Sequence, residues 1–230
     1  LSDRIGILPD LLNTLYIVIA TLLIVLPLGV GAAIYLTEYA TNRRVIGVIE
    51  YAAETLSGIP SIIYGFFGLM VIVPVMQQLT GTSGKGVLTA SIMLGIMILP
   101  TIISVSEAAI RAVPESYYEG ALALGATHER SVFFTTVPAA KSGIMAGIIL
   151  GIGRAIGETM AVVMVAGNQP VIPESILSGV RTMTINIVLE MGYAAKGMHR
   201  DALIATAVVL FVFILIINIC FSLVRRGDKK

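Results

Sequence analysis

The sequence predicts an all-α, polytopic helical membrane protein, and three observations carry that prediction. Hydrophobic residues make up 57% of the 230 residues and charged ones only 13%, with a mean hydropathy of +0.94, whereas a soluble domain has roughly 45 to 50% apolar residues. Five apolar runs are each long enough to cross a bilayer, for which about 18 residues suffice. The runs are continuous rather than alternating. Only helices and closed barrels satisfy their backbone hydrogen bonds in lipid, so continuous runs are read as helices.

In chain order the spans are expected at about Leu11 to Leu36, Ile59 to Leu79, Val87 to Ala109, Gly143 to Ala166 and Ala202 to Val224. Pro27, Pro74 and Pro100 fall inside three of them, where a missing N–H and a ring clash should kink the helix. The connections, Thr41 to Gly58, Thr80 to Gly86, Ile110 to Ser142 and Asn168 to Asp201, are more polar and richer in turn residues. Tyr16, Tyr35, Tyr51, Tyr64 and Tyr193 are candidate interfacial anchors in a chain without tryptophan. Cys220 lies in an apolar run and, as the single cysteine, excludes an internal disulfide framework. The formal net charge of +1 gives no basic field for nucleic acid, and none is expected as a partner.

Orientation follows from basic residues, which accumulate on cytoplasmic connections. Arg43, Arg44, Arg111, Arg130, Lys141, Arg225, Arg226, Lys229 and Lys230 fall on one side, and Arg4, Lys85, Arg181, Lys196 and Arg200 on the other. The expectation is a multi-pass protein of the cytoplasmic membrane with its C-terminus in the cytoplasm. Five spans then put Leu1 outside with no signal sequence before it, so an upstream segment with at least one more span is expected to be missing, a mature protein trimmed by a signal peptidase being the alternative.

No catalytic, cofactor or metal motif is found. GTSGKG at Gly81 to Gly86 resembles a phosphate-binding loop, but Gly86 follows Lys85 where Ser or Thr belongs, and Leu79 stands where the first glycine belongs. His128 and His199 are too few and too far apart for a zinc site, and no serine has a local base. The chain is not expected to be an enzyme, and its energy must come from a partner or a gradient.

EGALALGATHERSVFFTTVP, from Glu119 to Pro138, places Leu122, Ala123 and Ala126, then Val132, Phe133 and Thr136, at helical spacings on either side of Gly125. That describes two short amphipathic helices joined at a glycine, presenting an apolar knob to another protein or lying on the membrane surface. The segment resembles the EAA loop of ABC-transporter permeases. Glu119, Ala121, Gly125 and Pro138 match that pattern, while Gly120, Thr135 and Val137 depart from it. The resemblance implies that Glu119, Ala121, Gly125, Ala126 and Pro138 belong to a cytoplasmic coupling loop, at about 113–142, that docks on an ATP-hydrolysing subunit.

The stretches ETLSGIPSIIYGFFGL, LGIMILPTIISVSEAAIRAVPESY, GRAIGETMAVVMVAGNQP and LEMGYAAKGMHRDAL are similar to the phosphate-import permeases of the PstC family, with the PstA family as near neighbour. This implies a single transmembrane permease domain over residues 1–230 with the type I ABC importer fold, six spans in the family against five here. It also implies a PstA-like second permease subunit, two PstB-like ATPase subunits and an external PstS-like phosphate-binding protein. Sulfate or molybdate import is the alternative within that class, and a gradient-driven secondary transporter the alternative outside it.

Arg154 and Glu158, in GRAIGET, are the charged residues of an otherwise uncharged run. Four apart on one helix face, they are expected to neutralise each other, because a lone ionised side chain at mid-span costs roughly 2.5 to 3.5 kcal/mol. Gly143, Gly147 and Gly151 continue at helical spacing to the same face, which allows close helix packing. Two readings stand. Arg154 offers a passing oxyanion its guanidinium fork with Glu158 restraining it, or the two form a buried pair that locks the helix to a partner. Ser57 and Ser61, in SGIPS, are candidate pathway residues at a hinge, with Ser57 as an ordinary helix cap the alternative. Val180 to Glu190 form a short amphipathic pattern, read as a contact for the binding protein or a lid. Glu107 and Arg111, four apart, are read as a surface pair.

Overall fold

A computed structural model describes residues 6–227. Among these the chain is almost entirely helical, and five helical runs are long and apolar enough to cross a membrane: Leu8–Tyr39, Ser61–Thr80, Val87–Arg111, His128–Gly157 and Met198–Cys220. Helix α1 (Leu8–Ile34) starts with Pro9 in its first turn, where the missing N–H costs nothing, and Asp10 there favours the dipole. It continues through a π turn, Tyr35–Tyr39, and stops at Ala40, whose backbone is extended (φ −74°, ψ 115°).

The connection expected over Thr41 to Gly58 is instead a helix, α2 (Arg43–Gly58), started by Asn42, whose Oδ1 accepts the Arg44 N–H. Pro60 (φ −58°, ψ 138°) separates it from α3 (Ser61–Phe67). Ser57 therefore sits in the last turn of α2, and the reading of it as a cap on the following span is corrected.

Two further π turns share one cause. Gly68–Ile72 leads into α4 (Val73–Thr80), and Val132–Thr136 leads into α8 (Val137–Gly157). Each ends two residues before a proline, Pro74 or Pro138. Proline cannot donate to the carbonyl four residues back and crowds it, so a wider turn just upstream relieves the clash without breaking the helix. Pro27 and Pro100 lie inside α1 and α5 (Val87–Arg111).

The remaining elements are α6 (Glu115–Ala123), α7 (His128–Ser131), α9 (Met160–Val165), α10 (Met183–Met191) and α11 (Met198–Gly227). The amphipathic pattern at Val180 to Glu190 contains α10, capped by Thr182, whose hydroxyl accepts the Ile185 N–H.

The chain divides into two compact units. One comprises 6–24, Ile59–Met97 and Gly153–Cys220. Its core includes Ile17, Met93, Leu94, Met97, Ala161, Val165, Met183 and Ile185. Small polar residues tie α1 to α5 there: the Ser91 hydroxyl donates to the Ile17 carbonyl and the Thr21 hydroxyl reaches both the Ile17 and Ser91 carbonyls, a device that suits a lipid-embedded interface.

The other unit comprises Val25–Gly58, Ile98–Ile152 and 221–227. Its core joins Ala33, Ile34, Ile110, Val132, Ala140 and Ile144. The glycine stripe lies against α5, with Gly143 facing Ala109, Gly147 facing Val105, and Gly151 facing Ile98 and Ile102. Close packing through those glycines is what their spacing predicts.

Candidate functional site

Helix α8 ends at Gly157, in the middle of the stretch expected as one span from Gly143 to Ala166. Thr159 has φ −128° and ψ −55°, outside helical geometry, and α9 begins one residue later. Arg154 is thus in the last turn of α8 and Glu158 lies in the break, so the expectation that both stand on one continuous helix face is overturned. The physical reason is local. Glu158 Oε1 accepts the Ala161 N–H at 3.1 Å, satisfying one of the orphan donors at the start of α9, while the Thr184 hydroxyl donates to the Glu158 carbonyl at 3.1 Å. Asn168 closes the other end of α9 by donating to the Val163 carbonyl at 3.0 Å.

Glycine lets the broken segment pack. A Cβ on Gly65 of α3 would lie 2.9 Å from Ala161 Cα, so α3 and α9 touch backbone to backbone at the residue Glu158 caps. Tyr64, next to Gly65, is buried and within electrostatic reach of Arg154. Arg154 itself is half-buried, and a cation in the last turn of α8 complements that helix's dipole. Ser61 opens α3 half-buried in the same unit, whereas the exposed Ser57 falls in the other. It lies beside a cavity of about 350 Å³ lined with Glu50, Glu54, Ser104 and Glu107.

The predicted knob is present, with one change. Helix α6 ends at Ala123, Gly125 takes φ +85°, and the Gly125 and Ala126 amides donate to the Leu122 and Ala121 carbonyls at 2.9 and 3.1 Å. Leu124 is 91% exposed beside it. Thr127 then caps α7, its hydroxyl accepting the Arg130 N–H. The second helix is not short: from His128 the chain stays helical to Gly157. Pro138 lies inside that run and not in the turn. Glu119 is exposed on α6 and Ala121 and Ala126 are half-buried.

One charged cluster escaped the sequence, and a second is larger than the sequence suggested. Arg181 bridges Asp10, at 3.4 Å, and Glu190, at 3.3 Å, and His199 Nε2 lies 3.8 Å from the second Glu190 oxygen. Asp10 is almost completely buried, and Asn13, one turn along, donates to the Val171 and Arg181 carbonyls. Arg181, Asn186, Glu190, His199 and Thr206 line a cavity of about 670 Å³. Arg111 pairs with Glu107 as expected and also holds Glu50 of α2 at 2.9 Å, but Glu107 is buried, so the reading of the two as a surface pair is corrected.

A model of the family described as "Binding-protein-dependent transport system inner membrane component" matches residues 25–227. The chain is 40% identical, over 94% of its length and 72% of the relative's, to a probable ABC transporter permease protein, YqgH, of Bacillus subtilis (strain 168). It is 35% identical, over its whole length and 76% of the relative's, to the phosphate transport system permease protein PstC of Mesorhizobium japonicum. Among solved structures, the inward-facing MetNI methionine ABC transporter has a chain matching with a TM-score of 0.72 at 20% identity, over the full length of both. A bacterial alginate importer matches with a TM-score of 0.71 at 14% identity, over all of this chain and 82% of that one. These likenesses give the fold, that of the type I ABC importer permeases.

Proposed function

Because this chain belongs to the binding-protein-dependent transport system inner membrane component family, we propose that it is the membrane-spanning permease subunit of an ABC importer that moves inorganic phosphate into the cytoplasm. The observation that carries the reading is the turn at Gly125, which exposes Leu124 at the root of a helical run that ends at Gly157 with Arg154 in its last turn. An ATPase that closes on ATP pushes such a knob, and the helix carries the push towards the break at Glu158. The phosphate assignment draws on the 35% identity to a PstC protein.

In this reading Glu119, Ala121, Gly125 and Ala126 form the ATPase dock, with Pro138 shaping the helix behind it. A second permease subunit of PstA type completes the pathway, two PstB-type ATPase subunits hydrolyse ATP, and a PstS-type protein delivers the anion from outside. The C-terminus faces the cytoplasm, together with the excess of basic residues. Arg154 presents a guanidinium fork to the passing anion, suited to two oxygens at once. Glu158 stays occupied by the α9 amide, and Ser61 lines the approach from α3. Ser57 belongs to the pathway through the other unit.

Vesicles containing the assembled complex test the proposal. Vanadate-sensitive phosphate uptake that arsenate competes with and sulfate does not is the expected result. Uptake driven by an imposed gradient in this chain alone would overturn the ABC reading, and competition by sulfate or molybdate would reassign the anion. Arg154→Gln is expected to reduce uptake with the subunits still assembled.

A further inference from the structure

The coupling turn contains a side-chain cluster that the proposed cycle does not yet use. His128, the first residue of α7, sits between two tyrosines from different elements. Its Nδ1 lies 2.8 Å from the Tyr118 hydroxyl of α6. Its ring meets Tyr39 edge to face, with centroids 4.9 Å apart at 72°, and Tyr118 at 5.8 Å and 79°. Tyr39 is the last residue of the π turn that ends α1.

Helix α6 is nine residues long and buries none of them completely. Tyr118 is the α6 side chain that packs on the core of Ala33, Ile34, Ile110, Val132, Ala140 and Ile144, and Tyr39 packs on the same core. A short helix with most of its residues exposed can roll about its axis unless a directional contact fixes it. The hydroxyl-to-imidazole hydrogen bond is such a contact, since its strength falls steeply with angle. The edge-to-face arrangement with Tyr39 likewise depends on ring orientation.

We infer that His128 is a positioning residue, the joint through which a displacement of α6 reaches the end of α1, with Tyr118 on the input side and Tyr39 on the output side. The inference rests on the ABC-importer reading. Without the joint α6 still docks and ATP is still hydrolysed, but less of each displacement reaches the spans.

The test measures ATP hydrolysis and phosphate uptake together in vesicles holding the assembled complex and the external binding protein. Tyr118→Phe removes one oxygen and keeps the ring; His128→Phe keeps the ring contacts and loses Nδ1. Each is expected to raise the ATP consumed per phosphate about fivefold, the size of effect that losing one hydrogen bond produces. The double variant should be no worse than either single one, because both delete the same interaction. His128→Asn, which puts an amide atom near the Nδ1 position, should restore the ratio. An unchanged ratio in Tyr118→Phe overturns the inference. Equal loss of assembly in all the variants, His128→Asn included, also overturns it, by making the cluster purely structural. A wild-type complex that takes up phosphate without consuming ATP brings down the ABC reading itself, and the joint with it.

Discussion

Gly65 and Ala161 meet backbone to backbone, with the position of a Gly65 Cβ 2.9 Å from Ala161 Cα and 2.9 Å from the Met160 carbonyl oxygen. Backbone atoms cannot swing aside as a flexible side chain can. Gly65→Ala is therefore expected to destabilise the fold by about 1–3 kcal/mol. Gly157→Ala, where a Cβ meets nothing within 4 Å, should be tolerated. Thermal unfolding of the detergent-purified complex checks both.

Glu158 provides the acceptor for the Ala161 amide, and glutamine can provide one as well. Glu158→Ala should cost about 0.5–2 kcal/mol, as the loss of a helix cap does, while Glu158→Gln should stay close to wild type in stability. Uptake then separates roles. If Glu158→Gln assembles normally yet transports poorly, the negative charge acts on the anion path and the cap is only part of its work.

Along the glycine stripe the space differs from site to site. A Cβ on Gly143 would overlap that of Ala109, whereas one on Gly147 would stand 3.1 Å from Val105. Gly143→Ala should therefore lower the melting temperature more than Gly147→Ala, and the opposite ranking would mean that α5 and α8 separate more easily at Ala109 than at Val105.

Arg181 shares its charge between Asp10 and Glu190, and Asp10 is buried. Arg181→Gln leaves an uncompensated carboxylate inside the fold, a change that costs about 3–5 kcal/mol. Asp10→Asn added to it should recover part of that loss. Folded yield after purification, compared across the two single variants and the double, reads the effect.

Gly125 holds φ +85°, a conformation that costs an ordinary L residue roughly 1–2 kcal/mol. Asparagine enters this region more readily than alanine. Gly125→Ala should weaken co-purification of the ATPase more than Gly125→Asn. Equal weakening would mean that the contact needs the bare backbone of glycine and not its conformation.

The spans were legible in the sequence because lipid leaves little choice: a continuous apolar run has to become a helix, and Val87–Arg111 begins at the expected residue. Helix α2 was not, because Arg43, Arg44, Glu50 and Glu54 gave its segment the polarity of a connection. The break at Glu158 was hidden because apolar residues resume directly after it, so the hydrophobic pattern runs on while the hydrogen bonding does not. Its signal was the sequence Gly157-Glu158-Thr159, a flexible residue followed by an acceptor three positions before the amide it caps. Nothing local could have joined Asp10 to Arg181, which are 171 positions apart. The turn at Gly125 was readable because one glycine between two helical patterns has few other uses. That the second helix runs on to Gly157 was obscured by Lys141 and Ser142, which resemble a boundary.

A π turn holds one residue more than the α turn it replaces, so everything beyond it is rotated by about 100° from where an unbroken helix would set it. Gly68–Ile72 and Val132–Thr136 therefore act as phase shifts. A substitution scan along either helical run would find the sensitive positions repeating with one phase before the turn and another after it. Deleting a single residue inside the turn would bring the two phases back together and leave the far half of the helix facing the neighbours it has now.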